Sequence, residues 1–183
     1  MAAALTSVDR VVPGLDALGV TVGDEFQGRY PTLGEALDAA LRIRLILLPE
    51  ADVRIGVGRG SVISLEQGTR LQDGPGWWAA REAIEGLENH ARWSGLSSLR
   101  TAYRSPEQPE AEAGVNAALA CRDQLIGSMP ERPVRILRRL LDGDTQAAIA
   151  AAEEVSASAI SQQVRSHGIG VILHAHELLR RMP

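Results

Sequence analysis

The stretch VTVGDEFQG, residues 20–28, decides the fold of this 183-residue chain. The apolar run Leu18–Val22 leads into a Gly-Asp turn, and Gln27–Tyr30 has the length of a short returning strand. Gly and Asp are typical turn residues, so the pattern predicts a β-hairpin with Asp24 and Glu25 at its tip. Two adjacent carboxylates are costly to bury unless they are paired or bound to a metal. The tip is therefore either a solvated turn or part of a metal-binding or phosphate-binding site.

A helix is predicted directly after the hairpin. Thr32 and Glu35 have the spacing of a capping box, and apolar residues then recur at helical intervals until Pro49. Proline disfavours a helical conformation in the residue before it and has no N–H to donate, so the helix should end there.

A glycine-rich strand and a second helix follow. The strand Val53–Val57 begins a run with glycines at alternate positions, which are Gly56, Gly58 and Gly60. Such glycines leave one face of a strand bare, so that another backbone or a ligand can approach closely. Gln72–Gly76 is predicted as a turn, Trp77–Asn89 as a helix and Leu99–Tyr103 as a last short strand.

The composition sets broad limits. Hydrophobic residues make up 45% of the chain and aromatic residues 3%, so a packed core must consist mainly of aliphatic side chains. The net charge is −4, all basic residues are arginine, and residues 130–183 carry seven Arg against six acids. A nucleic-acid contact is therefore expected in the C-terminal part. Cys121 is the only cysteine, which excludes a disulfide framework.

Three separated motifs resemble a known family. The Gly23-Asp24 turn, the strand Arg54–Val57 and the helical Ala79-Ala80-Arg81 resemble, in this order, the class III nucleotide cyclase and GGDEF superfamily. More specifically, Val20–Tyr30, Asp52–Gly60 and Gln72–Arg81 look like the bacterial SatD family. The resemblance covers residues 10–103 and 130–170.

The resemblance implies an α+β fold. It consists of a ferredoxin-like, nucleotide-cyclase-like sheet region over residues 1–104, a linker and connecting helix over 105–129, and an all-α helix-turn-helix domain over 130–183. Ser105–Gly114 is the best linker candidate. The first strand of the cyclase sheet has no counterpart before Asp24. We therefore expect an N-terminally shortened member of the family, or a partner chain that completes the sheet.

The same resemblance suggests candidate site residues in the N-terminal region. Asp24 matches the metal-binding acid of the cyclase hairpin, and nucleotide or phosphate binding is assigned to Asp24, Glu25, Asp73, Trp77 and Arg81. The Trp77-Trp78 pair has two interpretations. Either one ring lies in the core and the other at its rim, or the pair is a platform on which a base or another flat ligand stacks. The first metal-binding Asp of the cyclases is missing, and Trp77 stands where their Asn is expected. No catalytic residue is assigned, and the chain is expected not to be an enzyme.

The C-terminal residues resemble a helix-turn-helix. Three helices are predicted, over Pro133–Asp142, Gln146–Glu153 and Ala157–His167. Asp144 or Thr145 would cap the second helix, and Ser156 would cap the third. A core of Ile149, Val155, Ile160 and Val164 would leave polar residues on the outer face of the last helix. DNA contact is assigned to Ser156, Ser158, Ser161, Gln162 and Arg165. Glu153 and Glu154 occupy positions where such motifs place a core Leu and a turn Gly. A packing or dimerisation role for the motif is the alternative.

These observations lead to one functional expectation. The chain is predicted to be a non-enzymatic, cytoplasmic, regulatory DNA-binding protein whose degenerate nucleotide-binding module serves ligand sensing or dimerisation. DNA, a second copy of the chain and a nucleotide are the expected partners, with no membrane. No cofactor is expected, and Mg²⁺ would be needed only under the alternative of a cyclase-like enzyme. A structural protein-interaction module is the third alternative. The four histidines, His90, His167, His174 and His176, lack metal-ligand spacing.

Overall fold

The computed structural model describes residues 1–21, 23–65 and 72–183 and has a mixed α+β fold. The α+β class predicted from the sequence is confirmed at this level. The helices are α1 (Ala2–Val11), α2 (Leu33–Leu47), α3 (Pro75–His90), α4 (Pro109–Gly127), α5 (Glu131–Leu141), α6 (Gln146–Ala152), α7 (Ala157–Ser166) and α8 (Ile169–Leu179). The strands are β1 (Asp16–Val20), β2 (Phe26–Arg29), β3 (Ile55–Gly58), β4 (Ile63–Ser64), β5 (Gln72–Asp73) and β6 (Thr101–Arg104).

The predicted hairpin is confirmed. β1 and β2 pair antiparallel, with Val20 opposite Phe26, and the turn contains Gly23 at a φ of 63°. Both strands begin and end one or two residues before their predicted positions. The helix after the hairpin is also confirmed, because the Thr32 hydroxyl accepts a hydrogen bond from the Glu35 N–H at 3.2 Å.

The chain folds into two compact units, of which the first is discontinuous. It comprises Met1–Asp52 and Leu125–Pro183. In it, α2 contacts α1, α5 and α8. Its aliphatic core is built from Leu41, Leu45, Ile126, Val134, Ile136, Leu137, Ile149, Ala150, Ile160, Ile169 and Ile172. This grouping cuts across the boundaries at 104 and 129 that the sequence predicted, because α2 packs with the C-terminal helices.

The second unit comprises Val53–Gln124. β3 and β6 pair in parallel, with Ile55 opposite Thr101 and Gly58 opposite Arg104, and α3 packs on both strands. β4 and β5 form a separate antiparallel pair. The six strands of the described residues therefore form three two-stranded sheets.

The predicted linker is shorter than expected. Ser105–Gly114 is the linker candidate of the sequence, and α4 already begins within it, at Pro109. Proline is tolerated in the first turn of a helix, where its missing N–H has no intrahelical partner. The connecting helix predicted within residues 105–129 therefore includes residues 109–114 of the linker candidate.

Candidate functional site

The acids of the hairpin tip lie in solvent. The side chains of Asp24 and Glu25 are exposed, and neither makes a hydrogen bond or ion pair with the described residues. The turn is closed by the backbone, since the Thr21 N–H donates to the Glu25 carbonyl oxygen at 2.9 Å. Within the described ranges, no three His, Cys, Asp or Glu side chains are grouped as metal ligands. The tip thus offers two carboxylates without further ligands beside them.

A second set of predicted residues lies where β5 meets α3. The Asp73 carboxylate accepts hydrogen bonds from the Gly74 N–H and from the Trp78 indole N–H, both at 2.8 Å. Trp78 is 59% exposed, whereas Trp77 is half-buried and its indole nitrogen is buried without a partner among the described residues. The ring available for stacking is therefore Trp78, and Asp73 orients it. The sequence suggested stacking on the Trp77-Trp78 pair and assigned nucleotide or phosphate binding to Trp77; the hydrogen bond that distinguishes the two rings is visible only in the structure.

Arg81 lies one turn after Trp78 on α3. Its side chain is exposed and has no partner in the part of the chain that the structure describes. Asp73, Trp77 and Arg81 belong to the second unit, whereas Asp24 and Glu25 belong to the first. The five predicted nucleotide or phosphate residues are thus divided between the two units.

The alternate glycines contact a helix backbone. A Cβ atom on Gly56 would collide with the carbonyl oxygen of Ala80, and one on Gly58 with the backbone of Gly76 and Ala80. Gly60 faces the backbone of Gly76 in the same way. The sequence left open whether these glycines make room for another backbone or for a ligand, and the structure shows the backbone of α3 next to them.

Helices α6 and α7 lie where the sequence predicted two helices. The Thr145 hydroxyl caps α6 by accepting the Ala148 N–H at 3.1 Å, and the Ser156 hydroxyl caps α7 by accepting the Ala159 N–H at 3.2 Å. Between the helices, Ile149 and Ile160 are fully buried. Val155 and Val164 pack against the same core.

The outer face of α7 is polar. The side chain of Arg165 donates to the Ser161 hydroxyl at 2.6 Å, and the hydroxyls of Ser156 and Ser158 lie 2.9 Å apart. Gln162 and Arg165 are exposed and Ser161 is half-buried. The structure thus brings the five predicted DNA-binding residues, Ser156, Ser158, Ser161, Gln162 and Arg165, onto the N-cap and body of one helix.

The two acids of the turn differ in their surroundings. The Glu153 side chain is 14% exposed, and its carboxylate binds Arg135 at 3.0 Å and Arg132 at 3.4 Å. The hydrogen bond from Arg135 holds the pKa of Glu153 below its ordinary value. Glu154 is exposed and has a φ of 54°. An ion pair with α5 therefore replaces the apolar contact expected at Glu153, and Glu154 takes a left-handed conformation without being glycine.

The comparison with protein families supports the SatD part of the resemblance. The SatD family model matches residues 14–181. The chain belongs to the SatD family. A search of curated proteins and a search of solved structures each returned no match to it. Among the helices described, none is both long and apolar enough to cross a membrane.

Sequence reasoning missed a buried ionic cluster in this SatD-family chain. The Asp38 carboxylate on α2 contacts Arg42 at 2.7 Å, Arg180 at 3.2 Å and the His176 Nε2 at 3.3 Å. Arg42 also donates to Asp142 at 2.7 Å. Burial opposes the charge of Asp38, but His176 and Arg42 outweigh it and hold the pKa of this carboxyl below its ordinary value. The one sequence signal that could have indicated this cluster is the i,i+4 spacing of Asp38 and Arg42, which places the two side chains side by side on a helix.

The cluster borders a cleft of about 410 Å³ in the first unit. Asp38, Glu35 and Arg180 line it together with Thr32 and the last residues of the chain. At its wall Arg180 pairs with Asp38, and the Glu35 carboxylate accepts a hydrogen bond from the neutral Thr32 hydroxyl at 3.2 Å. The cluster therefore joins α2 to α8 across the first unit.

Proposed function

We propose that this SatD-family chain is a non-enzymatic regulatory protein that binds DNA through α6 and α7 as a helix-turn-helix. In this proposal α7 enters the major groove. Ser158, Ser161, Gln162 and Arg165 then face bases and phosphates, with Ser156 at the start of the helix. The observation that carries the proposal is that hydroxyl, amide and guanidinium groups share the outer face of a well-capped helix. These are the groups that read base edges and bind phosphates.

The ion pairs of the turn support the same proposal. A carboxylate beside the groove would repel phosphate, but two arginines of α5, Arg132 and Arg135, pair with Glu153. Only Glu154 then remains as an exposed acid without a cation in the described part of the turn. The repulsion against DNA is therefore smaller than the sequence indicated.

The N-terminal region is assigned a regulatory role. Its proposed layout is the ferredoxin-like, cyclase-like one that the motifs indicate, and its role would be ligand sensing or dimerisation. An exposed indole oriented by Asp73, with Arg81 one helical turn away, supports binding of a flat anionic ligand such as a nucleotide.

The proposal is tested by fluorescence anisotropy with labelled genomic fragments at two salt concentrations. Arg165→Ala and Gln162→Ala should each weaken binding about 5-fold to 150-fold, which corresponds to the loss of about 1–3 kcal/mol for one base or phosphate contact. Binding by the wild-type chain should weaken as the salt concentration rises, because counterions are released when arginines neutralise phosphates.

Arg92→Ala is the matched control. Arg92 is exposed, and its replacement by alanine removes the same charge as Arg165→Ala. It differs from Arg165 in its position, because it follows α3 in the second unit. Affinity should therefore change little in this variant. DNA binding that is absent, that does not respond to salt, or that falls equally in Arg92→Ala and Arg165→Ala would contradict the proposal.

A further inference from the structure

The two edges of the β3–β6 sheet differ in how they are covered. On the β6 side, carboxylate and amide groups of α4 take the place of a neighbouring strand. The Asp123 carboxylate accepts the N–H groups of Arg100 and Thr101 at 2.7 and 2.6 Å. Further along, Asn116 accepts the Tyr103 N–H at 2.8 Å and donates to the Tyr103 carbonyl oxygen at 2.7 Å. The Ser105 N–H donates to the Glu112 carboxylate at 2.8 Å.

The opposite edge, on β3, has no such cover. The Ile55 N–H donates to the Arg100 carbonyl oxygen at 2.7 Å, and the Arg59 N–H donates to the Arg104 carbonyl oxygen at 3.0 Å. Since backbone groups alternate in direction along a strand, the N–H and C=O groups of Gly56 and Gly58 point away from β6. Neither glycine has a hydrogen-bond partner for these groups in residues 1–21, 23–65 and 72–183.

Unpaired edges are normally blunted. Natural sheets use charged or proline residues, bulges or a covering element for this purpose, and a two-stranded sheet is rarely stable alone. β3 contains no charged residue and no proline, and its two glycines put no side chain beside the open backbone groups. α3 covers the face of the strand on which the glycines lie, and leaves its edge unpaired.

We propose that the outer edge of β3 binds an extended peptide segment of a partner protein as a third strand of this sheet. Main-chain hydrogen bonds from Gly56 and Gly58 would provide the pairing, as in other cases of strand addition. The proposal does not depend on the DNA-binding function.

The side chains around the edge define the partner. Ile55 and Val57 lie on the face opposite α3, so the added strand should carry apolar residues at alternate positions on that face. Arg54 and Arg59 flank the strand and are exposed, which favours acidic residues at both ends of the segment. A second copy of β3 would instead bring the same arginines close together, and is therefore disfavoured.

The test uses the ¹⁵N-labelled full chain and the acetylated, amidated heptapeptide Glu-Val-Thr-Val-Thr-Val-Glu. Amide hydrogen exchange is followed by NMR. In the free chain, Gly56 and Gly58 should exchange at least ten times faster than Ile55 and Val57. Saturating peptide should slow the two glycine amides at least tenfold and leave Ile55 and Val57 almost unchanged.

Two controls separate strand pairing from charge attraction. A peptide methylated at alternate backbone nitrogens cannot complete the ladder and should give no protection. A peptide with Lys at both ends should bind at least ten times more weakly than the acidic one, and Arg54→Glu should remove this difference, because Arg59 then faces one end and an acid the other. Glycine amides that are already protected in the dilute free chain would overturn the proposal, and so would a peptide that leaves them exposed. Protection that rises with protein concentration without peptide would show a second copy and overturn the proposed partner.

Discussion

Glu154 occupies a backbone conformation that favours glycine. Its φ of 54° lies in the left-handed region, where a Cβ atom meets the neighbouring carbonyl oxygen. The side chain is exposed and has no partner among the described residues, so no side-chain contact compensates for the strain, and the backbone bonds that close α6 would remain with glycine. Glu154→Gly should therefore stabilise the chain by about 0.5–1 kcal/mol, after allowing for the greater freedom of glycine in the unfolded chain.

Urea unfolding followed by circular dichroism measures this change. Glu154→Ala is the control, because it removes the carboxylate and keeps the Cβ atom. It should leave the free energy of unfolding almost unchanged. Equal stabilisation by the two variants would assign the effect to the charge and contradict the role of the backbone.

At the scale of elements, the close contact of β3 with α3 depends on glycine. A Cβ atom at position 58 would collide with backbone atoms of Gly76 and Ala80, which cannot rotate away as a side chain can. Gly58→Ala should therefore lower the free energy of unfolding by about 2–3 kcal/mol, within the range found for overpacked sites.

Gly86→Ala is the control for this prediction. Gly86 lies on α3 and has open space where a Cβ atom would be placed. Alanine is the better helix former, so this variant should gain about 0.5–1 kcal/mol. Denaturant unfolding of both variants gives the comparison. If Gly58→Ala is as stable as the wild type, the close contact between β3 and α3 does not require glycine, and the prediction is wrong.

At the scale of the whole molecule, Asp38 joins segments from both ends of the chain. Replacing the carboxylate by an amide leaves Arg42, Arg180 and His176 without their shared acid. Asp38→Asn should therefore destabilise the first unit by about 3 kcal/mol, as found when one partner of a buried ion pair is removed. Glu177→Gln is the control, because this exposed acid on α8 also pairs with Arg180, and it should have little effect.

The contribution of Asp38 to stability should depend on pH in one direction. The folded pKa of Asp38 lies below its ordinary value of 3.8. Its contribution to stability is therefore complete above pH 3.8 and disappears as the pH falls below that value. The difference in unfolding free energy between wild type and Asp38→Asn should shrink below pH 3.8 when measured by denaturant titration at several pH values. A difference that is constant with pH would contradict it.

The sequence predicted features whose signals are local. Thr32 and Ser156 were predicted as caps because a capping residue and its helix are adjacent in the chain. For α6 the sequence left Asp144 or Thr145 open, and the structure shows Thr145. The packing of α2 against α5 and α8 was not predicted, since an amphipathic pattern shows which face is buried but not against what.

The candidate site was predictable to the same extent. The five polar residues at the start and along α7 follow from one helix register, and the structure places them together. The choice between Trp77 and Trp78 depended on the first residue of α3 and on a hydrogen bond from Asp73, neither of which a hydrophobic pattern contains.

The discontinuous first unit has a consequence for synthesis on the ribosome. The pair formed by Arg42 and Asp142 joins residues 100 positions apart, and the whole second unit lies between them. Chains are made from the N-terminus at about 5–20 residues per second, so α2 waits several seconds for the helices that cover it. During that interval its apolar face is open to chaperones and proteases, whereas Val53–Gln124 emerges as one uninterrupted segment. A ribosome that pauses near residue 125 would therefore lengthen the time that α2 spends without α5 and α8.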